Sequence, residues 1–223
     1  MIPFDIIGTG PGGKGSLTFR AFEIIQQADI LVGSKRAINI VDFIIREKKN
    51  RPEFFFLKGN KEEMVTFIKN RKDSRRLALL VTGDAGFYSL LHYISRYFDK
   101  NEYRISPGIS SVQIAASRMG LLWNNAFFYS IHGRDVKSGI SDFTEAFYKG
   151  RDIYMLTDKQ RTPLWFTRFL HEKGFQVHDM EIILFFNLDY EDEKIIHTDY
   201  NRLAEDVKNE EEKLCVMLIR KKG

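Results

Sequence analysis

Short apolar runs alternate with amphipathic segments along this 223-residue sequence, and the alternation restricts the fold to the α/β class. An apolar strand over residues 2–8 is followed by a glycine-rich turn and a helix over 16–28, whose apolar residues recur every three or four positions. The first half therefore predicts a doubly wound, mainly parallel sheet. Its other predicted elements are strands at 29–33, 53–57, 77–82 and 102–106 and helices at 35–46, 61–71 and 87–98.

Pro107-Gly108 interrupts this pattern, so we place a domain boundary there. Residues 1–108 are predicted to form an N-terminal α/β domain and residues 109–223 a C-terminal α/β domain. Strands outnumber helices after the break, and the short link at 190–192 is typical of a hairpin, which predicts a mixed sheet. The predicted strands are 126–131, 152–157, 180–186, 193–198 and 214–220, and the helices are 110–119, 140–149, 163–173 and 201–207.

Composition limits the compartment and the partners. The net charge of +4 fits nucleic acid, a polyanionic small molecule or neither. The single cysteine, Cys215, lies in an apolar run and predicts a buried, inert thiol. No apolar stretch approaches the roughly 18 to 20 residues that span a bilayer, and the first residues lack a secretory pattern. We expect a soluble cytoplasmic protein with no metal site, since its histidines are scattered.

The loop over residues 8–15 places five glycines between the first strand and the first helix. Glycine lets the backbone approach a ligand, and a helix N-terminus favours an anion. The loop departs from the dinucleotide pattern because it contains Pro11 and no acidic residue closes the second strand. It departs from the phosphate-binding P-loop because Lys14 is followed by glycine rather than by serine or threonine.

Five later segments, each at or just after the end of a predicted strand, also carry small or polar residues. Asp84, in the Gly83–Phe87 turn, can orient a ligand or cap the next helix. Ser110 and Ser111 begin a helix, so one hydroxyl serves as the cap while the other is free for a ligand. His132, which follows another strand, is a general base, a donor to a carboxylate or a structural residue. Two further strands close with Leu156-Thr157 and with Asn187-Leu188.

Three of these motifs together resemble the tetrapyrrole (corrin and porphyrin) methylases. They are Gly8-x-Gly10-x-Gly12 with Leu17-Thr18, Gly83-Asp84-x-Gly86-Phe87, and Pro107-Gly108-Ile109-Ser110-Ser111. Within that family, three segments are similar to the enzymes that methylate carbon 5 of a cobalt-precorrin in cobalamin synthesis. They are the run Ser130-Ile131-His132-Gly133-Arg134, the helix after Ser110, and the stretch from Asn187 to Ile195. The resemblance covers essentially the whole chain.

The resemblance implies a methyl transfer from S-adenosylmethionine, bound in a cleft between the two domains, to a tetrapyrrole. It implies that His132 is the candidate catalytic base. It also implies that the glycine loop faces the substrate, whose carboxylates Lys14 and Arg134 would bind together with Gly10 and Gly12. The implied cofactor-binding residues are Gly83, Asp84, Gly86, Phe87, Ser110, Ser111, Leu156, Thr157, Asn187 and Leu188.

Related enzymes can carry a second module that methylates carbon 15 and decarboxylates a side chain. We expect methylation at one carbon here, a separate protein for the second step, no nucleic acid partner, and a homodimer by analogy with the family. The sequence departs from the family at Ala85, where proline is usual, and at Phe186, where glutamate is common.

Alternative functions differ in the ligand they require. A methylase of the same fold could act on another corrin position or on ribosomal RNA. A module that kept the fold and lost activity would bind the cofactor without turnover. An NAD-dependent dehydrogenase is disfavoured, because it would need the missing acidic residue that binds the ribose.

Overall fold

The computed structural model describes residues 3–132, 136–208, 210 and 215–222. The chain divides into two compact units, Met1–Ser111 and Val112–Gly223. Within the described residues each unit is built on one five-stranded sheet. In this part of the chain no helix is long and apolar enough to cross a membrane.

The sheet of the first unit is entirely parallel, as the alternating pattern predicts. Its order is β3-β2-β4-β1-β5, and every neighbouring pair runs in the same direction. The strands are β1 (Phe4–Gly8), β2 (Ile30–Gly33), β3 (Glu53–Phe56), β4 (Leu77–Val81) and β5 (Tyr103–Ser106).

Helices cover both faces of this sheet, because residues that alternate along each strand point to opposite sides. Ile7 and Leu80 lie in one core cluster with residues of the first three helices. Ile6 and Leu79 lie in another cluster, with the next two helices. The helices of the first face are α1 (Phe19–Gln27), α2 (Lys35–Ile40) and α3 (Asp42–Glu47), and those of the second face are α4 (Lys61–Arg71) and α5 (Leu91–Ile94).

The sheet of the second unit is mixed, with order β6-β7-β10-β8-β9. Only β6 and β7 pair in parallel, and the predicted hairpin is confirmed as the antiparallel pair β8 and β9. The strands are β6 (Phe127–Ser130), β7 (Ile153–Leu156), β8 (Met180–Phe186), β9 (Lys194–Thr198) and β10 (Cys215–Lys221), and the helices are α6 (Ser111–Met119), α7 (Ile140–Tyr148), α8 (Pro163–Glu172) and α9 (Leu203–Asp206).

An aromatic core joins α7 and α8 to one face of this sheet. Tyr129 of β6 lies 5.9 Å from Phe143 of α7 and 6.0 Å from Phe166 of α8, measured between ring centroids. Cys215 is also buried in this cluster, as predicted. Burial raises the pKa of its thiol above the usual range, so the group stays protonated and unreactive at neutral pH.

Three predicted helices differ from the structure. The helix predicted over 16–28 begins at Phe19, because Leu17 is extended and the Thr18 hydroxyl accepts the Ala21 amide as its N-cap. The helix predicted over 35–46 is two helices, because Val41 leaves the helical conformation. The helix predicted over 87–98 is reduced to Leu91–Ile94, since its first residues form turns.

Candidate functional site

Three glycines bring the carboxyl ends of β1, β4 and β5 into direct backbone contact. A Cβ added to Gly8 would lie 2.6 Å from the Gly108 nitrogen and 2.6 Å from the Gly83 carbonyl oxygen. A Cβ on Gly108 would lie only 2.3 Å from that same oxygen. No side chain fits here, so glycine at positions 8 and 108 is a steric requirement of the junction.

The loop after β1 is fastened to the loop after β4. The Gly83 amide donates to the Gly10 carbonyl at 2.8 Å, and the Gly10 amide donates to the Gly83 carbonyl at 3.3 Å. Both residues have positive φ, 77° at Gly10 and 72° at Gly83. Only glycine adopts this conformation without strain, which explains two glycines of the sequence motifs.

Asp84 binds backbone amides on both sides of the junction. One carboxylate oxygen accepts the Gly86 amide at 2.8 Å, and the other accepts the Gly108 amide at 2.9 Å. The sequence left open whether this carboxylate caps the next helix or orients a ligand. It caps no helix, because α5 begins only at Leu91. It ties the β4 turn to the β5 turn and holds their backbone in place.

This junction lies where the sheet reverses its winding. The chain leaves β1 for α1 on one face, whereas it leaves the adjacent β4 for α5 on the opposite face. In open α/β sheets, ligands bind outside the carboxyl ends of strands at such a reversal. The predicted Gly83–Phe87 motif is therefore at the expected position for a ligand.

The remaining predicted cofactor residues of the first unit surround this junction. Gly86 is exposed and Phe87 half-buried, with the Phe87 ring 4.8 Å from the Tyr88 ring. Tyr88 has a φ of 50°, a left-handed conformation that is rare for a bulky residue. Ser110 is 7% exposed and directly precedes α6, and Ser111 is the first residue of that helix.

The predicted substrate residues of the first unit lie on the glycine loop. Lys14 is exposed on a short 3₁₀ turn, with its Nζ 5.0 Å from the centroid of the Phe43 ring. Gly12 is half-buried. Arg36 of α2 donates from Nη2 to the Pro11 carbonyl at 2.8 Å and so restrains the loop. The loop thus presents an exposed cation, and its backbone is held to neighbouring elements at Gly10 and Pro11.

In the second unit, strand register brings the other predicted residues to one edge. Ser130 pairs with Leu156, Leu156 pairs with Val216, and Phe186 pairs with Cys215. Strands β6, β7 and β8 run in the same direction, so all three end at this edge. The residues that follow them are Ile131-His132, Thr157-Asp158 and Asn187-Leu188.

Side-chain hydrogen bonds hold two of these strand ends. Thr157 is buried, and its hydroxyl donates to the Cys215 carbonyl at 2.9 Å. Asn187 has a φ of 46°, and its amide donates to Asp192 at 2.6 Å. Leu156 is half-buried, whereas Leu188 is 4% exposed.

His132 is exposed in the turn after β6. Arg134, the predicted carboxylate partner next to it, lies outside the described residues. The two departures from the family pattern both pack in cores: Ala85 is fully buried in the first unit, and Phe186 is 2% exposed in the second. A glutamate at position 186 would place a charge in that apolar core.

A cavity of about 20 Å³ lies beside Thr157, bounded also by Asp158, Thr162 and Glu210. It is large enough for a water molecule and no more. A larger one, about 460 Å³, lies between α7 and α8 and contains none of the predicted site residues. The described residues contain no group of three His, Cys, Asp or Glu side chains arranged to hold a metal ion.

Sequence reasoning assigned no role to several residues that shape the site. Arg36 restrains the glycine loop, and Gly8 and Gly108 form the junction. Arg118 and Glu193 form an ion pair that connects α6 to the link after β8. Their partners lie 25 to 100 residues away along the chain, so no local pattern reveals these contacts.

Comparison with known proteins identifies relatives over nearly the whole chain. Residues 4–204 match the family described as Tetrapyrrole (Corrin/Porphyrin) Methylases. The chain is 31% identical over 192 residues to a probable cobalt-precorrin-7 C(5)-methyltransferase of Methanocaldococcus jannaschii, covering 85% of this chain and 86% of that protein.

Two solved structures share the fold. One is the precorrin-6Y methylase of Archaeoglobus fulgidus, with a TM-score of 0.72, 22% identity and 99% of both chains covered. The other is the uroporphyrin-III C-methyltransferase of Thermus thermophilus, solved with S-adenosylhomocysteine, with a TM-score of 0.71 and 17% identity over 98% of this chain and 97% of that one. The fold predicted from the sequence motifs is confirmed.

Proposed function

Because the chain belongs to the tetrapyrrole (corrin/porphyrin) methylases, we propose that it transfers a methyl group from S-adenosylmethionine to carbon 5 of a cobalt-precorrin at the precorrin-6/7 stage of cobalamin synthesis. The observation that carries the proposal is the glycine junction at the reversal of the first sheet. The name of the Methanocaldococcus relative supports carbon 5 as the position.

The residues of the junction fit a sulfonium cofactor. Gly83–Phe87 and Ser110-Ser111 offer backbone groups, two hydroxyls and one carboxylate, and they include no cation that would repel a positive sulfur. Because Gly83 and Gly86 lack side chains, a ligand can approach their backbone closely, while the Gly83 amide and carbonyl are held by Gly10 and the Gly86 amide by Asp84. We propose that these residues contact the cofactor together with Leu156, Thr157, Asn187 and Leu188. The S-adenosylhomocysteine complex of the Thermus neighbour supports this cofactor.

Bound S-adenosylmethionine supplies an activated methyl group, so the protein needs to position the methyl donor against the substrate and does not need to activate it. The Asp84 bonds to two turns hold the backbone that would align the donor. Positioning of this kind contributes about 7 to 11 kcal/mol in well-oriented reactions. Lys14, Gly10 and Gly12, with Arg134, would bind the peripheral carboxylates of the substrate. Carbon 5 would provide the electron pair for the new carbon–carbon bond, while the bond from the methyl carbon to sulfur would break and leave its electron pair on the sulfur of S-adenosylhomocysteine.

We propose His132 as the base that then removes a proton from the product. Its exposed imidazole follows β6 at the edge that also carries Thr157. His132→Gln keeps a hydrogen-bonding group but cannot carry the proton at neutral pH. The proposal requires this variant to lose kcat and the acidic limb of the pH–rate profile while keeping affinity for S-adenosylhomocysteine. Unchanged kcat would show that His132 is not the base.

Calorimetric titration with S-adenosylhomocysteine tests the cofactor site. We expect micromolar binding by the unaltered protein and at least tenfold weaker binding, about 1.4 kcal/mol, for Ser110→Ala combined with Ser111→Ala. Ser117→Ala is the matched control, because Ser117 is an exposed serine on the same helix. No binding by the unaltered protein would overturn the methyltransferase proposal.

Transfer of a ¹³C-labelled methyl group to a cobalt-precorrin tests the position. The label is expected at carbon 5, observed by NMR of the product. Label at another carbon would retain the family and refute this position. Methylation of ribosomal RNA but of no corrinoid would refute the substrate class.

We further propose that the protein acts in the cytoplasm as a homodimer, by analogy with the family. A separate protein would carry out methylation at carbon 15 and decarboxylation, because the relative that this chain matches over 86% of its length is named for carbon 5 alone. Light scattering of the purified protein tests the dimer. Product analysis without and with the second protein tests the division of steps.

A further inference from the structure

The link between β8 and β9, residues 187–193, carries two of the proposed cofactor residues, Asn187 and Leu188, and has an unusual backbone conformation. Asn187 and Asp189 both have positive φ, 46° and 66°. Asparagine and aspartate tolerate the left-handed region better than most residues, and the conformation still costs free energy that surrounding interactions offset. Leu188 lies between these two residues and is 4% exposed.

Glu193 enforces this conformation from the far end of the link. Its Oε2 accepts the Asp189 backbone amide at 2.7 Å. Arg118 of α6 holds the same carboxylate with two bonds, Nε to Oε1 at 2.6 Å and Nη2 to Oε2 at 3.1 Å. The Arg118 guanidinium lowers the pKa of Glu193 below its usual range, so the carboxylate stays charged at neutral pH.

An exposed ion pair generally contributes little to stability. This pair differs in three respects. Its geometry is bidentate, and the Glu193 side chain is 19% exposed. The Glu193 carboxylate also accepts the backbone amide of Asp189, a residue in the left-handed conformation, so the ion pair restrains the backbone of the link.

We propose that Arg118 and Glu193 form a positioning pair, which holds the 187–193 link in the conformation that presents Asn187 and Leu188 to the cofactor. The inference rests on the proposed function. The two residues act through the link and touch no reacting atom. Arg118 lies in the last turn of the helix whose first residue is Ser111, so the pair fastens the link to this helix.

The test measures two quantities in each variant: the affinity for S-adenosylhomocysteine and the hydrogen-exchange rate of the Asp189 amide, which reports on the link. We expect Arg118→Met and Glu193→Gln each to weaken binding at least tenfold and to speed hydrogen exchange of the Asp189 amide. Arg118→Lys keeps the charge but loses the planar fork, so its affinity should fall between those of Arg118→Met and the unaltered protein. This partial rescue by charge would not arise from a general loss of stability.

Arg104→Met and Asp5→Asn are the matched controls. They remove another bidentate pair, with bonds of 3.0 and 2.9 Å, between β5 and β1 of the first unit. We expect both controls to leave Asp189 exchange unchanged and S-adenosylhomocysteine affinity within twofold of the unaltered protein. If the unaltered protein binds S-adenosylhomocysteine and both Arg118→Met and Glu193→Gln bind it within twofold of that affinity, the positioning role alone is overturned. Unaltered protein that does not bind would overturn the proposed function and the role with it.

Discussion

A methyl group at position 108 tests the junction on which the proposed cofactor site depends. In Gly108→Ala the new Cβ would lie 2.3 Å from the Gly83 carbonyl oxygen and 2.7 Å from the Gly8 carbonyl carbon. Both obstacles are backbone atoms at the ends of hydrogen-bonded strands. They cannot rotate away as a flexible side chain would, so β1 and β4 must separate from β5 by about 1 Å.

Two costs combine in this variant. Overpacking of a closely packed site costs about 1 to 3 kcal/mol. Displacement of residue 108 also weakens the bond from its amide to the Asp84 carboxylate, and a hydrogen bond to a charged group contributes about 1.5 to 3 kcal/mol. We therefore expect Gly108→Ala to destabilise the first unit by about 3 to 5 kcal/mol. For a unit of about 100 residues, this lowers Tm by at least about 12 °C.

Scanning calorimetry is the appropriate assay, because Trp123 and Trp165 both lie in the second unit and tryptophan fluorescence would not report on the first. Gly15→Ala is the control from the glycine loop, since a Cβ there has no atom within 4 Å. It should leave Tm within about 2 °C of the unaltered protein. A Gly108→Ala protein that unfolds within about 1 kcal/mol of the unaltered protein would refute the steric argument.

Three further predictions concern charged groups in the described residues. Asp84→Asn should cost about 1 to 3 kcal/mol of unfolding free energy in urea, because the new NH₂ group faces a backbone amide that needs an acceptor. Lys48→Met should cost about 1 to 2 kcal/mol in the same assay, since Nζ donates to three carbonyls at the end of α1, whereas exposed Lys49→Met should cost nothing measurable. The pKa of Glu193 is lowered by Arg118, so the stability that this carboxylate contributes is fully present above about pH 4.3 and is lost as pH falls through its folded pKa. The difference in unfolding free energy between the unaltered protein and Glu193→Gln should therefore shrink below about pH 4, and a constant difference down to pH 2 would contradict this account.

Local sequence predicted the elements well where periodicity and end signals agreed. The helix at 61–71 is predicted at its observed bounds, because the apolar residues Met64, Val65 and Ile68 recur at helical spacing between polar ends. The segment 87–98 shows the opposite case. Its composition favours helix, but Tyr88 adopts a φ of 50°, and the helix is confined to Leu91–Ile94.

The sequence predicted which motifs lie at strand ends, but it did not predict the contacts between them. Glycines at strand ends predicted a ligand loop, but their mutual contact depends on strand order, which places β1 between β4 and β5. The Asp84 carboxylate could not be assigned from sequence, because its partner Gly108 lies 24 residues further along the chain. The bonds from Arg118 to Glu193 span 75 residues, and such pairings follow only from the tertiary fold.

The position of β10 in the second sheet has a consequence for synthesis on the ribosome. This strand, Cys215–Lys221, is the central one, between β7 and β8. The first sheet has all its strands once residue 106 has emerged, whereas β7 and β8 wait with unpaired edges until residue 221 is available. Unpaired edges are prone to intermolecular pairing. The nascent second unit therefore exposes two strand edges until its last strand is made, and a chain truncated before residue 215 is expected to be prone to aggregation.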